Sequence, residues 1–267
     1  MSFSLVWDTI ILNPIFNILA VLYHVSQNLG VAIILFTFLL KFALIPITLP
    51  QIKMASKQRE MQPELDKLKE KYKHDKQKLA QMQMELMKQH GINPGAGCLT
   101  TIITLVLMIA IYRAVSIFTI STNIMDINKH IWFPEFQLGS LEDIKTTFLY
   151  LNLAKPDKFF VIPVITVVLQ FLATKMMMPF AELGEKAAKK TPEKTDDIMQ
   201  AMQKQNLYVM PFMYLIFGLT LPSGVMLYII VSTLFQVGQS YFFTGWGGLK
   251  PWINKLRSKL NLSPVKR

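Results

Sequence analysis

Cysteine is nearly absent from the 267 residues: Cys98 stands alone, which excludes a disulfide framework and a thiolate metal cluster. Charge is also scarce, at 17% of residues, and acid is the scarcer sign, with 17 Asp and Glu against 28 Lys and Arg. No His-Glu-x-x-His spacing and no glycine-rich phosphate loop occurs, and His24, His74, His90 and His130 are dispersed along the chain. Ser232 has no facing base with which to form a nucleophilic pair. Metal, nucleotide and covalent catalysis are therefore not indicated, the chain does not read as an enzyme, and no cofactor is expected. No Lys or Arg precedes Lys41, so the basic region of a secretory signal is missing and the N-terminal segment is expected to be retained.

What is plentiful is hydrocarbon. A chain that is 52% hydrophobic is too apolar for an ordinary soluble domain and reads as an all-α membrane protein. Apolar stretches able to cross a hydrocarbon core, which takes about 20 helical residues, fall at 29–50, 97–119, 159–180, 207–222 and 223–243. The last two are joined only by "TLPSGV", so they must form a tight helical pair. Before them, residues 1–28 are apolar on one side but carry Asp8, Asn13, Pro14 and His24, the pattern of an amphipathic helix lying in the membrane interface.

The net charge of +11 is distributed by loop. Ten basic residues lie in 52–93, five in 182–206 and six in 244–267, against four in 120–158 and none in 1–28. The positive-inside rule then puts the N-terminus and the 120–158 loop outside, and 52–93, 182–206 and the basic tail 244–267 in the cytoplasm. Charge sorted in this way serves topology, and no specific nucleic-acid partner is indicated. The segment 52–93 is rich in helix formers, with a turn at "YKHDKQ" and a terminator at "GINPG", and is expected to form a cytoplasmic helical hairpin. Leu65, Leu68 and Tyr72 recur at helical spacing on one arm, and Leu79, Met82 and Leu86 on the other. Either these stripes pack on each other, or the hairpin offers Met61, Leu65, Leu68, Met82 and Met84 to a client or partner, a role to which flexible thioethers are suited.

Three basic residues fall inside the spans. Arg113 and Lys175 lie near span ends, where their long side chains reach a headgroup region. Lys41 lies about ten residues from either end of its span, at a rise of about 1.5 Å per residue, and cannot reach water in that way. A lysine at mid-bilayer costs about 2.5–3.5 kcal/mol on insertion scales, so such residues face a bundle interior or a wet cavity and mark a functional path. Thr37, one turn earlier on the same face, shares that environment. Gln170, Ser232 and Thr233 are further polar side chains at membrane depth that can line the same cavity, although a hydroxyl in a span is commonly satisfied by its own helix.

The strings "TFLLKFALIPIT", "MQPELDKLKEKYKHDKQKL", "HGINPGAGCL", "AIYRAV" and "LPSGVMLYIIVSTLFQVGQ" occur in that order from about residue 30 to 243. Together they resemble the YidC/Oxa/Alb family of membrane protein insertases. The resemblance implies five transmembrane helices enclosing a hydrophilic groove open to the cytoplasm and lipid, with the groove's basic residue at Lys41, its polar companion at Thr37 and a client-contacting aromatic at Tyr228. It implies nascent membrane proteins as clients, a bacterial inner-membrane location, and the ribosome, the signal recognition particle pathway and the Sec translocon as further partners. The chain departs from the bacterial pattern in having Lys41 where Arg is usual, which replaces a planar fork of donors by a point charge. No stretch corresponds to the large extracytoplasmic domain of many Gram-negative members or to a long ribosome-docking tail. Two other readings remain open on the residues alone: a small-solute transporter or ion channel with an anion site at Lys41, and a scaffold that anchors partners through the hairpin.

Overall fold

The computed structural model describes residues 6–91, 95–142, 144–177 and 198–264. The loop 182–206 falls largely outside them. The described chain is mostly helical: a π-helical turn Asp8–Leu12 leads into α1 (Asn13–Ser26), followed by α2 (Leu29–Lys71), α3 (Lys76–Gln89), α4 (Gly95–Ile120) and the short α5 (Ile124–Asn128). After a two-stranded hairpin, β1 (Thr147–Phe148) and β2 (Leu151–Asn152), come α6 (Val161–Met177), α7 (Ile198–Thr220), α8 (Ser223–Thr244) and α9 (Lys250–Lys259). The strand pair is the one departure from an all-α fold among the described residues.

Asp8–Ser26, Leu29–Lys71, Ile102–Ile120 and Ser223–Thr244 are long and apolar enough to cross a membrane, and Val161–Met177 and Leu207–Thr220 are shorter apolar helices. Chain hydropathy and helical length thus agree on a multi-pass protein. Two differences from the sequence reading follow. The N-terminal stretch, placed in the interface plane by its polar interruptions, buries Leu12, Phe16, Leu19, Ala20 and Tyr23 in a protein core, and its 19 residues from Asp8 to Ser26 suffice for a span. The first span and the first hairpin arm, expected as separate elements, are one 43-residue helix that continues through Pro46, Pro50 and Pro63. All three prolines sit at exposed positions, where the ring meets no neighbouring element.

Packing divides the chain into two units, Met1–Leu44 with Thr101–Leu169 and Pro211–Phe235, and Ile45–Thr100 with Gln170–Met210 and Gln236–Arg267. In the first, the buried stripe of α1 belongs to one apolar core with Ile33 and Phe36 of α2, Val115 and Phe118 of α4, and Val225 and Met226 of α8. Phe16 stacks on Phe118 at 4.6 Å between centroids. The segment after α4 is fastened to α1 by polar contacts: buried Asn17 donates from Nδ2 to the carbonyls of Asn13 (2.8 Å) and His130 (2.7 Å) and accepts the Trp132 N–H at 2.7 Å. Every polar atom of that amide is used, which is what its burial demands.

The start of α6 is set by Asp157. Its carboxylate accepts the N–H groups of Phe159 (3.0 Å) and Ile162 (2.9 Å) and the Tyr150 hydroxyl (3.2 Å). Burial alone would raise the carboxyl pKa, but those donors outweigh it and hold the group below its ordinary value.

In the second unit, the C-terminal part of α2 and α3 pack as two arms around Met61, Leu65, Leu86 and Met87, with Met54 and Leu68 at the margin. Asp75 caps α3, accepting the Lys78 N–H at 3.0 Å, and His90 Nε2 lies 3.2 Å from Glu64 Oε2 across the pair. The segment after α8, read from sequence as a basic tail, is folded through α9, and Trp252 lies under Lys175, whose Nζ is 4.8 Å from the ring centroid. Lys175 is buried. Its aliphatic stem and ammonium pack on an indole, correcting the expectation that it reaches for headgroups. Gly247 has φ +50°, and a Cβ there would overlap the Met176 carbonyl oxygen and the Arg59 guanidinium, so any side chain would displace both.

Two outcomes are expected. Replacing Met61 by Ala leaves a cavity between the two arms and is expected to cost about 2–4 kcal/mol, read as faster limited proteolysis at Tyr72–Asp75; Met84→Ala, at a position 53% exposed, leaves cleavage unchanged. Asp157→Ala removes the cap and lowers stability by about 1–2 kcal/mol. Because the Asp157 pKa is lowered in the fold, its contribution is present above the ordinary aspartate value and is lost as pH falls through the lowered one. Melting temperature in detergent followed from neutral to acid pH therefore drops at the acid end for the native chain, and less steeply for the variant.

Candidate functional site

The residues singled out at membrane depth fall mostly in the first unit, on α2 and α8. Thr37 is fully buried, and its hydroxyl donates to the Ile33 carbonyl one turn back at 2.6 Å. That bond satisfies the hydrogen and leaves oxygen lone pairs as acceptors. Lys41, the next turn along, is half-buried. Among the described residues no carboxylate or hydrogen-bond acceptor pairs with its Nζ. An ammonium lacking a counter-ion at this depth needs water or an incoming acceptor.

Beside the Thr37–Lys41 face, Phe38 and Phe42 meet Phe235 of α8 edge to face, at 6.1 and 5.1 Å between centroids. These three rings, which sequence reasoning missed, tie the Lys41 turn to α8. The signal for two of them was present, since Phe38 and Phe42 flank Lys41 at a four-residue spacing that puts them on one helical stripe.

On α8, Tyr228 is buried and hydrogen-bonded to Ser232 one turn on. Tyr228, Ser232 and Phe235 recur at four and three residues, so they share a face. Thr233 is buried and donates to the Ile229 carbonyl at 2.8 Å, one position around the helix. Gln170 lies in the second unit, where it has a polar partner. The structure thus gathers Thr37 and Lys41 on one face of α2, and Tyr228 and Ser232 on one face of α8, with the phenylalanine contact between the two helices.

In the second unit, Gln236 and Gln239 continue α8 as polar positions: Gln239 Nε2 donates to Thr48 Oγ1 at 3.0 Å, and Gln236 Nε2 to Met177 Sδ at 3.5 Å. Of the hairpin residues proposed for client contact, Met61 and Leu65 are buried between the arms, Leu68 and Met82 are half-buried and Met84 is exposed. Arg59, on the same stretch of α2, was overlooked. It is buried, donates from Nε to the Ala55 carbonyl at 3.2 Å, and packs on Gly247; burial lowers its pKa, with Glu60 opposing.

These placements can be set beside known proteins. Residues 21–247 match the model of a family described as 60Kd inner membrane protein. A protein of Fusobacterium nucleatum called membrane protein insertase YidC is 32% identical over 215 residues, covering 80% of this chain and 85% of the relative. Membrane protein insertase YidC 2 of Bacillus anthracis is 29% identical over 245 residues, covering 90% and 82%. Membrane protein insertase MisCA of Bacillus subtilis is 28% identical over 244 residues, covering 90% and 79%. With the match extending from α1 through the end of α8, the chain belongs to the 60Kd inner membrane protein family as a YidC-like member.

Proposed function

We propose that this protein is a membrane protein insertase of the bacterial inner membrane, in which Lys41 draws the polar, often acidic, segment of a nascent membrane protein into a hydrophilic groove. The observation that carries the reading is Lys41 itself: half-buried in a span, with no carboxylate partner among the described residues. The insertase activity named for the relatives points the same way. The groove is bordered by the Thr37–Lys41 face of α2 and the Tyr228–Ser232 face of α8, and Thr233 adds polar lining. It opens to the cytoplasm, with the N-terminus outside and the C-terminus inside.

A wet groove shortens the dry path for a charged segment, and the ammonium lowers its energy in transit. Release follows when the client's apolar helix passes into lipid, a gain that grows with its apolar area. The membrane potential adds roughly 2.3 kcal/mol per 100 mV for each negative charge moved outward. As a point charge, Lys41 attracts a carboxylate without the bidentate geometry of Arg, so it holds clients less selectively and lets go more readily. The hairpin of α2 and α3 receives the client, with Met84 the exposed thioether on its surface and Met61, Leu65, Leu68 and Met82 serving chiefly to hold its arms. The ribosome, the signal recognition particle pathway and the Sec translocon deliver clients to it.

Insertion of a single-span reporter with an acidic translocated tail into proteoliposomes tests the charge. Lys41→Ala is expected to slow it about tenfold, equivalent to about 1.4 kcal/mol, Lys41→Glu to slow it further, and Lys41→Arg to sustain it. A reporter whose tail is neutral should respond little to any of the three. Equal insertion of the acidic reporter by Lys41→Glu and the native chain would sink the charge-attraction mechanism.

A further inference from the structure

The strand pair between α5 and α6 carries a feature that client transport does not use. The two residues of its turn, Leu149 and Tyr150, are exposed, Leu149 by 85%, and Leu149 sits at φ +53°. A short way on, Phe159 is 71% exposed, and the exposed Phe160 sits at φ +56°. Tyr150 and Phe159 touch, with centroids 5.9 Å apart. A left-handed backbone favours Gly or Asn, and water favours a polar side chain. Leu149 and Phe160 are therefore costly twice over for a loop tip in water, and backbone strain kept at an exposed apolar residue points to use rather than to folding.

The tip is rigidly aimed. Below it, the Leu29 N–H donates to the Lys145 carbonyl (3.2 Å), Asn28 Nδ2 to the Thr147 carbonyl (3.1 Å), and the Ser223 and Gly224 N–H groups to the carbonyls of Lys155 (2.8 Å) and Leu153 (3.1 Å). Phe148 packs so closely on Gly30 that a Cβ there would overlap its ring. The base is thereby pinned to the first residues of α2 and of α8, while Phe160 abuts the first residue of α6. Three apolar helices begin at this one place, which sets the depth of the tip at the level where hydrocarbon gives way to headgroups. Phe159 and Phe160 lead directly into the apolar run that opens α6 at Val161. Among the described residues, exposed Lys155 and Lys158 lie close before Phe159 in the chain, while Asp157 is buried and committed to its cap.

We infer that Leu149, Tyr150, Phe159 and Phe160 form a lipid-interface anchor, inserted among the headgroups of the leaflet adjoining the starts of α2, α6 and α8, with Lys155 and Lys158 on anionic lipid phosphates. Aromatic rings at interface depth and lysines facing acidic lipid are the chemistry such a boundary accepts. A protein partner is the less economical occupant, because the tip lies where lipid already is. The anchor does not depend on the insertase reading: it would hold the loop at fixed depth whatever the groove transports.

The full chain with Cys98→Ser, and with Leu149→Cys, Phe159→Cys or, as a control, Gln137→Cys on the same loop, is labelled with a polarity-sensitive dye. It is then reconstituted in vesicles of phosphatidylcholine alone or mixed with phosphatidylglycerol, containing lipid spin-labelled near the headgroup. Labels at 149 and 159 are expected to be quenched about threefold more than the label at 137, as interface residence requires. Exchanging Lys155 and Lys158 for Gln should weaken that quenching in the phosphatidylglycerol vesicles and leave it unchanged in phosphatidylcholine. Leu149→Asn, which relieves the backbone, should melt no lower in detergent while the label at 159 loses about half its quenching. Quenching at 149 and 159 no greater than at 137 in both vesicle types would place the tip in water or against a protein and overturn the anchor, and indifference to the lysine exchange would overturn its anionic lipid preference.

Discussion

The rest of this structure depends on the scarcity of water around its helices. Inside hydrocarbon a backbone must satisfy its own donors and acceptors, and any side chain that brings extra polarity has to be settled locally. The threonines of the spans show the usual solution. Thr37, Thr119, Thr166 and Thr233 each return their hydroxyl to the carbonyl four residues back. Against that background Lys41 stands apart, because a lysine cannot fold its charge into its own helix backbone. What Thr37 settles within one turn, Lys41 leaves to something outside the helix.

Where the chain leaves the spans, polar contacts take over from hydrophobic ones in holding geometry. Asn17 uses all its amide atoms to bind the segment after α4, and Asp157 gathers backbone N–H groups at the start of α6. The carbonyls of Lys145, Leu153 and Lys155 receive donors from the starts of α2 and α8. Such contacts are directional, so the loop is held in one pose and its costly tip residues keep a fixed aim. In the second unit the same economy appears in the cations: Lys175 rests on Trp252 and Arg59 on Gly247, each burying an aliphatic stem against a neighbour.

Much of this was legible in the amino-acid order. The apolar run lengths, the break at "TLPSGV", the turn after Lys71 and the isolation of Lys41 in its span are one-dimensional properties, set by how many residues a bilayer needs and by which residues end a helix. The ordered motifs resembling the YidC/Oxa/Alb family were legible for the same reason. Less legible was the run of α2 through Pro46, Pro50 and Pro63, since whether a proline ends a helix depends on what surrounds the turn that loses its hydrogen bond. The stripe of α1 was visible as a stripe, but not as one facing protein.

Sequence by itself therefore determined the hydrocarbon fit of the chain, its family and the position of its one mid-span lysine, because these follow from local composition and spacing. Only the tertiary structure decided that Met61 and Leu65 are buried with Leu86 and Met87 inside the hairpin and that Lys175 lies over Trp252. It alone also decided that Phe235 clasps the turn around Lys41, and that residues 149 and 160 hold left-handed backbones in the open. Each of these depends on which face of a helix meets a partner distant in the chain, and periodicity marks a face without naming what covers it.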